Sequence, residues 1–382
     1  MCRQSATVCL TKSPTAAQRA AHGIAERLGV IRDPRDRRGR RHALVAVLLT
    51  ACCAVPAGAC SYLAIGQWAR HAPQDTLARL GVRAAGPLGV RRAPSGSTIR
   101  RILTLVCPGG LADLLGCDPA GARTLAVDGK CARGSRTDAA PAAHLLSAVL
   151  TGGRTVSQLR VPDKTTEVTR FTRLLAPFDL AGVVVTSNAL HTHRDHARWL
   201  VEEKKAHYVL VVERNRPTLH DALRSLPWKQ VTARRYERES GHGRRETRSV
   251  RTLTVTDLGL NFPHVAQAAK IHRHRTDLKT GKITHETVYT ITDLPARAAS
   301  PQIIGQLARS QWGIEAVHHV RDTTFSEDAS KIRTGHGPES MATLRSFAIS
   351  TLRTAGHRGI ASGLREVSYT PFTRPLNLIG LP

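Results

Sequence analysis

The sequence predicts an α/β protein: a sheet of mixed strand direction carrying a β-strand insertion, preceded by a small helical domain. Three observations predict it. Helical spacing dominates up to about residue 115, short apolar strands alternate with single helices from Thr124, and strand-like text without helices fills about 229–294. With 382 residues and 41% hydrophobic content, the chain can bury a proper core and has room for two domains, or one with a large insertion.

Residues 1–40 are polar and end in IRDPRDRRGRRH, a basic arm that reads as flexible or DNA-touching. A helical domain over 41–118 follows, with helical patterns at 43–55 and 61–71 and a third starting at Ser97, a suitable N-cap before TIRRIL. Residues 75–96 hold Gly, Pro and Arg without strong periodicity and read as a loop. The α/β domain spans 119–355. It opens on the strands TLAVDGK, HLLSAVLTG and TVSQLRVP, then a helix with Val168, Phe171, Leu174, Leu175 and Phe178 on one face. Strand GVVVTSN, a helix at 193–204 and strand HYVLVVE complete the alternation. Within the insertion, RRETRSVRTLTV, VAQAAKIHRHRT and ITHETVYTITDL read as strands, the last two joined by the turn DLKTGK. Helical text returns at 301–321, with Ile303, Ile304, Leu307, Trp312 and Ile314 as its apolar positions, and residues 356–382 form a C-terminal tail.

Charge narrows the function. Against 29 Asp and Glu stand 56 Lys and Arg, only ten of them Lys, giving a net +27 and a sequence pI near 11.0. A polyanion, foremost nucleic acid, is the implied partner, and a membrane is not. The run ALVAVLLTACCAVPAGAC at 43–60 is apolar, but Pro56 interrupts it. What remains is roughly 20 Å of helix against a bilayer core of about 30 Å, so a buried helix is expected. The eight cysteines, at 2, 9, 52, 53, 60, 107, 117 and 131, form no C-x-x-C pair, which suggests a reducing cytoplasm and no structural zinc. Cytoplasmic residence is the expectation.

Three positions carry candidate chemistry. Asp128 closes the strand TLAVD, Asn188 stands at the tip of GVVVTSN, and Glu315 lies in the helical text SQWGIEAVHHVRD. Converging carboxylates of this kind hold two Mg²⁺ (or Mn²⁺) ions for in-line displacement at phosphorus, one activating the nucleophile and one stabilising the leaving oxygen. The bland readings stand beside this one. Asp128 could simply end a strand; His191, His193, His196, His318 and His319 read as solvated or DNA-facing, with no H-E-x-x-H to suggest zinc. Arg244, Arg245 and Arg248 form either a solvated strand face or phosphate contacts, and Glu246 among them pairs with arginines rather than a metal. Asp195 with Thr192 resembles a capping box, and Asp322 lies two turns beyond Glu315, about 10.5 Å along a helix and too far to share one metal pair.

The stretches LAVDGK, HLLSAV, VPDKTTE, VVVTSNALHT, HYVLVVERN, HGRRETR, ETVYTITDLP and QWGIEAVHHVRDTTFSEDAS, in this order, resemble the DDE transposases of bacterial insertion sequences, in the H-repeat-associated (ISAs-type) branch. The likeness covers roughly 30–355. It implies a ribonuclease-H-like catalytic core with a β insertion, an associated helical domain, Mg²⁺-dependent cleavage and transfer of DNA strands at element ends, and a homo-oligomer assembled on the terminal repeats and target DNA. Residue by residue, Asp128 matches the first catalytic Asp and Glu315 the catalytic Glu. Asn188 occupies the place of the second Asp, in Thr186-Ser187-Asn188-Ala189-Leu190-His191-Thr192. Other departures fall near these motifs: Gln311 for His, Ala316 for Asn, Glu213 and Arg214 for Lys and Gly, Arg216 for Gln, and one residue fewer between Glu315 and the His pair. Lys130, Arg244, Arg245 and Arg248, with Arg37, Arg38, Arg40 and Arg41 of the arm, are the expected DNA contacts.

An amide at 188 can offer a carbonyl oxygen but no charge, so two dications would face one negative charge fewer. Positioning and charge stabilisation are most of phosphoryl-transfer catalysis, so impaired strand cleavage is expected. Three readings follow: an impaired transposase, a cleavage-dead DNA-binding relative acting as a repressor or co-opted protein, or a decaying copy without function.

Overall fold

The computed structural model describes residues 14–162, 167–241, 243–255 and 258–381. The thiols of Cys2 and Cys9, the first part of the basic arm and the DKTT of VPDKTTE lie outside the described residues.

Two short helices occupy the expected arm, α1 (Ala16–Ala20) and α2 (Ile24–Gly29). Thr15 and Gln18 close a capping box on α1, and α2 buries Ile24 and Leu28. The apolar run forms α3 (Leu44–Ala54), buried along nearly its whole length with Cys52 and Cys53 as packed thiols. Among the described residues no helix is long and apolar enough to cross a membrane. After α4 (Tyr62–His71) the stretch expected as a loop holds α5 (Gln74–Arg79) and the small hairpin of β1 (Ala84–Ala85) and β2 (Val90–Arg91). Six residues are too few to show a helical period, and α5 is anchored instead by burying Thr76 and Leu77. The next helix, α6 (Gly96–Leu105), is capped by Ser95 and not by Ser97. Ser95 has the extended backbone a cap requires and its hydroxyl accepts from the Thr98 amide, while Ser97 already lies inside the first turn. α7 (Pro108–Leu115) closes the helical region.

Then come β3 (Thr124–Ala132), β4 (Ala143–Leu150), β5 (Thr155–Val161), α8 (Glu167–Leu175), β6 (Val184–Ser187), α9 (Arg194–Arg198), β7 (His207–Val212) and α10 (Pro217–Ser225). The insertion supplies β8 (Arg234–Gly241), β9 (Arg244–Thr254), β10 (Gln267–Asp277) and β11 (Ile283–Thr292), of which β8 was not foreseen. The chain ends in α11 (Pro301–Ser310), α12 (Trp312–Thr323), α13 (Gly337–Thr354), α14 (Ile360–Ser368) and α15 (Arg374–Leu378). The turn between β10 and β11 is set by Asp277, whose carboxylate accepts from the amides of Lys279 and Thr280, and by Gly281 at φ +66°.

Two compact units result: Met1–Asp118, Gly129–Phe178 and Glu315–Pro382 form one, Pro119–Asp128 and Asp179–Ile314 the other. In the first, strands run in the order β5-β4-β3, and β4 pairs antiparallel with β5. Phe171, Leu174 and Leu175 of α8 are buried as the spacing predicts. Around the buried α3 lie Ile99, Ile102 and Leu103 of α6 and the long α13, buried along most of its length. The expected tail is tied down here: the Trp68 indole donates to the Pro371 carbonyl, and the Arg79 guanidinium to Leu381 O. A buried Glu327 accepts from both Arg321 and Arg345.

In the second unit the order is β3-β6-β7-β11-β10-β9-β8. Strands β3, β6 and β7 are parallel, and the four insertion strands continue the sheet in antiparallel pairs beyond β7. α11 packs on this sheet through Ile304, Leu307 and Ala308 against Val184, Val209, Val250 and Ile271. The insertion strands of this mixed sheet come after β7 in the chain and before α11.

Candidate active site

The parallel strands β3 and β6 are in register from Thr124↔Val184 to Val127↔Ser187, so Asp128 and Asn188 are the next residues on each; Asn188 follows the end of β6, whereas Asp128 does not close its strand as the sequence suggested, because β3 continues to Ala132. Both side chains are half-buried and they meet: Asn188 Nδ2 donates to Asp128 Oδ1 at 2.7 Å. The amide orientation is fixed from its other side, because Asn188 Oδ1 accepts from the Leu190 backbone amide at 3.0 Å. Hydrogen-bond bookkeeping therefore turns the nitrogen, and not the oxygen, toward the carboxylate.

A second amide braces the same strands from beneath. Gln311 is buried at the junction of α11 and α12, donates from Nε2 to the Val127 carbonyl at 3.0 Å and accepts the Thr186 hydroxyl at 2.8 Å. It thereby links the residue before Asp128 to the residue two before Asn188. The sequence marked Gln311 only as a departure; nothing in it indicated that both ends of the amide would be used.

The expected Thr192–Asp195 capping box does not form. Thr192 donates to the Val211 carbonyl, binding the turn to β7, while α9 begins after His193 without a side-chain cap and Asp195 pairs with Arg198 at the surface. The expectation of solvated histidines fails at His191 and His196, which are buried, with His196 Nδ1 hydrogen-bonded to the His191 carbonyl. The turn after β6 folds them under the strand tips. Burial first, then the Arg216 guanidinium, lowers the pKa of His193. Near this turn His193, Arg194, Arg198, Arg216, Asn261 and Phe262 line a cationic cavity of about 680 Å³ that the sequence did not reveal.

In the other unit, Glu315 sits exposed in the first turn of α12. Lys130, two residues past Asp128, is buried and bound to Asp322 at 2.7 Å and Asp328 at 3.4 Å, so its ammonium faces carboxylates rather than solvent. His318 is held to a pKa of about 3, chiefly by burial and then by the Arg321 and Lys130 charges.

The family model described as a transposase DDE domain matches residues 119–351, and the model of the domain associated with it matches 25–117. The chain belongs to the DDE transposase family. It is similar to the H repeat-associated YhhI of Escherichia coli K12, a transposase by name, at 25% identity over 90% of this chain and 93% of YhhI. It is also similar to YncI of Escherichia coli O157:H7, likewise named as a transposase, at 28% identity, covering 60% of this chain and 61% of that one. The chain thus spans about three fifths of YncI. A piggyBac transposase synaptic complex with hairpin DNA aligns with 74% of this chain and 56% of its own, at 10% identity and a TM-score of 0.38.

For a DDE transposase the site has an unusual donor set. Where the sequence resemblance led one to expect a pair of carboxylates, on β3 and after β6, this transposase has a carboxylate whose Oδ1 receives an N–H. An N–H cannot ligate a cation, and among the described residues no group of three or more His, Cys, Asp or Glu side chains is placed to hold a metal ion. At the Asp128–Asn188 pair an N–H therefore stands where a metal ion would need an oxygen.

The basic residues are sorted by their partners. On β9, Glu246 is buried and surrounded by Arg244, Arg248, Arg273 and Arg275, so Arg248 is engaged within the sheet and only 12% of its side chain is exposed. Arg244 and Arg245 remain at the surface. Arg37, Arg38, Arg40 and Arg41 are exposed on the turn after α2. That turn is held by a buried Arg35, which is bidentate with Asp33 and also donates to the Gly39 and His42 carbonyls.

Proposed function

We propose that this transposase recognises the ends of its insertion sequence as double-stranded DNA and that its strand-cleaving centre is impaired by Asn188. The observation that carries the reading is the Asn188–Asp128 hydrogen bond of 2.7 Å, which directs an N–H where the family's chemistry needs a metal-bound oxygen. Asp128 and Glu315 keep the positions of the first Asp and the Glu by their motifs. The net charge of +27 and the exposed Arg37, Arg38, Arg40, Arg41, Arg244 and Arg245 support retention of phosphate contacts. A carboxylate at 188 would restore the missing charge and admit Mg²⁺ or Mn²⁺. Cytoplasmic residence at the nucleoid and assembly as a homo-oligomer on DNA belong to the same proposal.

The test is cleavage of a DNA duplex carrying the sequences that flank the gene, with Mg²⁺ or Mn²⁺, comparing the natural protein with Asn188→Asp. Cleavage by Asn188→Asp alone is the expected result, with a gain of at least a hundredfold. Cleavage by the natural protein overturns the impairment. If neither cuts but both bind the duplex with a steep salt dependence, the second reading, a cleavage-dead DNA-binding relative, takes its place.

A further inference from the structure

Three residues past Asp128 on β3, Cys131 faces His144 of β4, and His144 in turn faces Glu167 at the start of α8. Cys131 Sγ lies 3.0 Å from His144 Nδ1, and His144 Nε2 lies 2.6 Å from Glu167 Oε2. Thiol, imidazole and carboxylate thus stand in line on three separate elements of one unit.

The packing fixes it. His144 and Glu167 are buried at 9% and 3% exposure, and Gly129 leaves them room: a Cβ there would stand 2.7 Å from both Glu167 Oε1 and His144 Nε2. Only glycine allows the strand to pass so close to the pair. With Glu167 ionised, its oxygen selects the tautomer of His144 that carries its proton on Nε2, which leaves the Nδ1 lone pair directed at the thiol. This is the order of nucleophile, base and orienting acid that activates a cysteine. Cys131 is half-buried, whereas Cys52 and Cys53 are packed away in α3.

We propose that Cys131 is a built, electrophile-reactive thiol, with His144 as its base and Glu167 as the group that orients the base, so that this transposase carries a covalent modification site beside its DDE strand. With an alkyl halide the step balances simply: Sγ forms the S–C bond, the C–halogen bond breaks, the halide leaves with that electron pair, and the thiol proton passes to His144 Nδ1, while the Nε2 proton stays on the imidazole and is hydrogen-bonded to the Glu167 carboxylate. No redox partner is required. The class of ligand is a small, soft electrophile.

The experiment is timed alkylation of the native full-length chain by iodoacetamide at pH 7, read by mass spectrometry at each cysteine and repeated on the urea-unfolded chain. Cys60 and Cys117, whose thiols burial pushes up in pKa, serve as internal references. Cys131 is expected to react in the native chain at least as fast as in the unfolded one, with Cys60 and Cys117 slowed tenfold or more. His144→Gln and Glu167→Gln should each slow Cys131 about tenfold while the reference rates stay fixed, which would show that the variants remain folded. A Cys131 rate unchanged in both variants overturns the proposal, since the thiol would then be merely accessible, as does a native Cys131 slowed like the references. If the reference rates rise in both variants, the wild-type comparison of native with unfolded chain still decides.

Discussion

Gln311 shows how much one buried amide can govern. Its two hydrogen bonds reach Val127 on β3, next to Asp128, and Thr186 on β6, two residues before Asn188. Replacing it with Leu would strand a backbone carbonyl and a hydroxyl in a dry environment, each costing about 1–3 kcal/mol, so Gln311→Leu should lose roughly 2–4 kcal/mol in urea unfolding. A loss below about 0.5 kcal/mol would mean that water or a shifted side chain takes over both partners. The residue scale is also where sequence reading stopped short. Motif order singled out Asp128, Asn188 and Glu315 as candidates, and the structure brings the first two into contact. That the amide of Asn188 turns its nitrogen toward Asp128 was not legible, because the turn follows from the Leu190 amide holding its oxygen, a contact with no sequence signature. The partners of Lys130 were equally hidden, since Asp322 and Asp328 lie almost two hundred residues away.

At the level of elements, hydrophobic period located most helices and strands, and local side-chain chemistry set their ends. α6 gives a direct check. Ser95→Ala removes the hydroxyl that accepts the Thr98 amide and should cost about 1 kcal/mol, whereas Ser97→Ala, in the first turn, should change stability by only a few tenths. Equal effects in thermal unfolding would place the cap elsewhere. Two elements escaped the sequence for different reasons. α5 is too short for a period, and β8, RRYERESG, is exposed at all but one position at the edge of the sheet, so no apolar alternation announces it. β8 is held by its antiparallel ladder to β9, and Glu239 is in addition bidentate with Arg309 of α11, at 2.6 and 2.7 Å, a pairing that leads the lowering of the Glu239 pKa. At such exposure the pair adds little stability, and the register of this charged edge strand is that of its ladder with β9.

For the whole molecule the governing quantity is an excess of positive charge, and the buried ionisable groups decide how acid acts on it. His318 has its pKa lowered to about 3, so the unfolded chain takes up this proton first; its contribution is full above about pH 6.5 and falls as pH drops toward 3. Burial would raise Glu327, but Arg321 and Arg345 hold it down to about 2; the stability it supplies is full above about pH 4.3 and is lost as pH falls toward 2. The protein should therefore destabilise in two acid stages, the first below pH 6.5. His318→Asn should flatten the upper stage in a series of urea midpoints against pH, and a midpoint independent of pH between 6.5 and 4 would contradict the burial of that imidazole. Glu327→Gln should cost about 3–5 kcal/mol at pH 7, because two buried guanidiniums lose their counter-charge. By itself the sequence determined the α/β class, the helical region before it, the basic surface and the family's motif positions, because hydrophobic period, charge and motif order are properties of the chain read in line. Only the tertiary structure decided which groups meet: Asn188 with Asp128, Gln311 across two strands, Cys131 with His144 and Glu167. Those partners lie from 13 to 184 residues apart, and a hydrogen bond depends on distances of a fraction of an ångström that no linear pattern encodes.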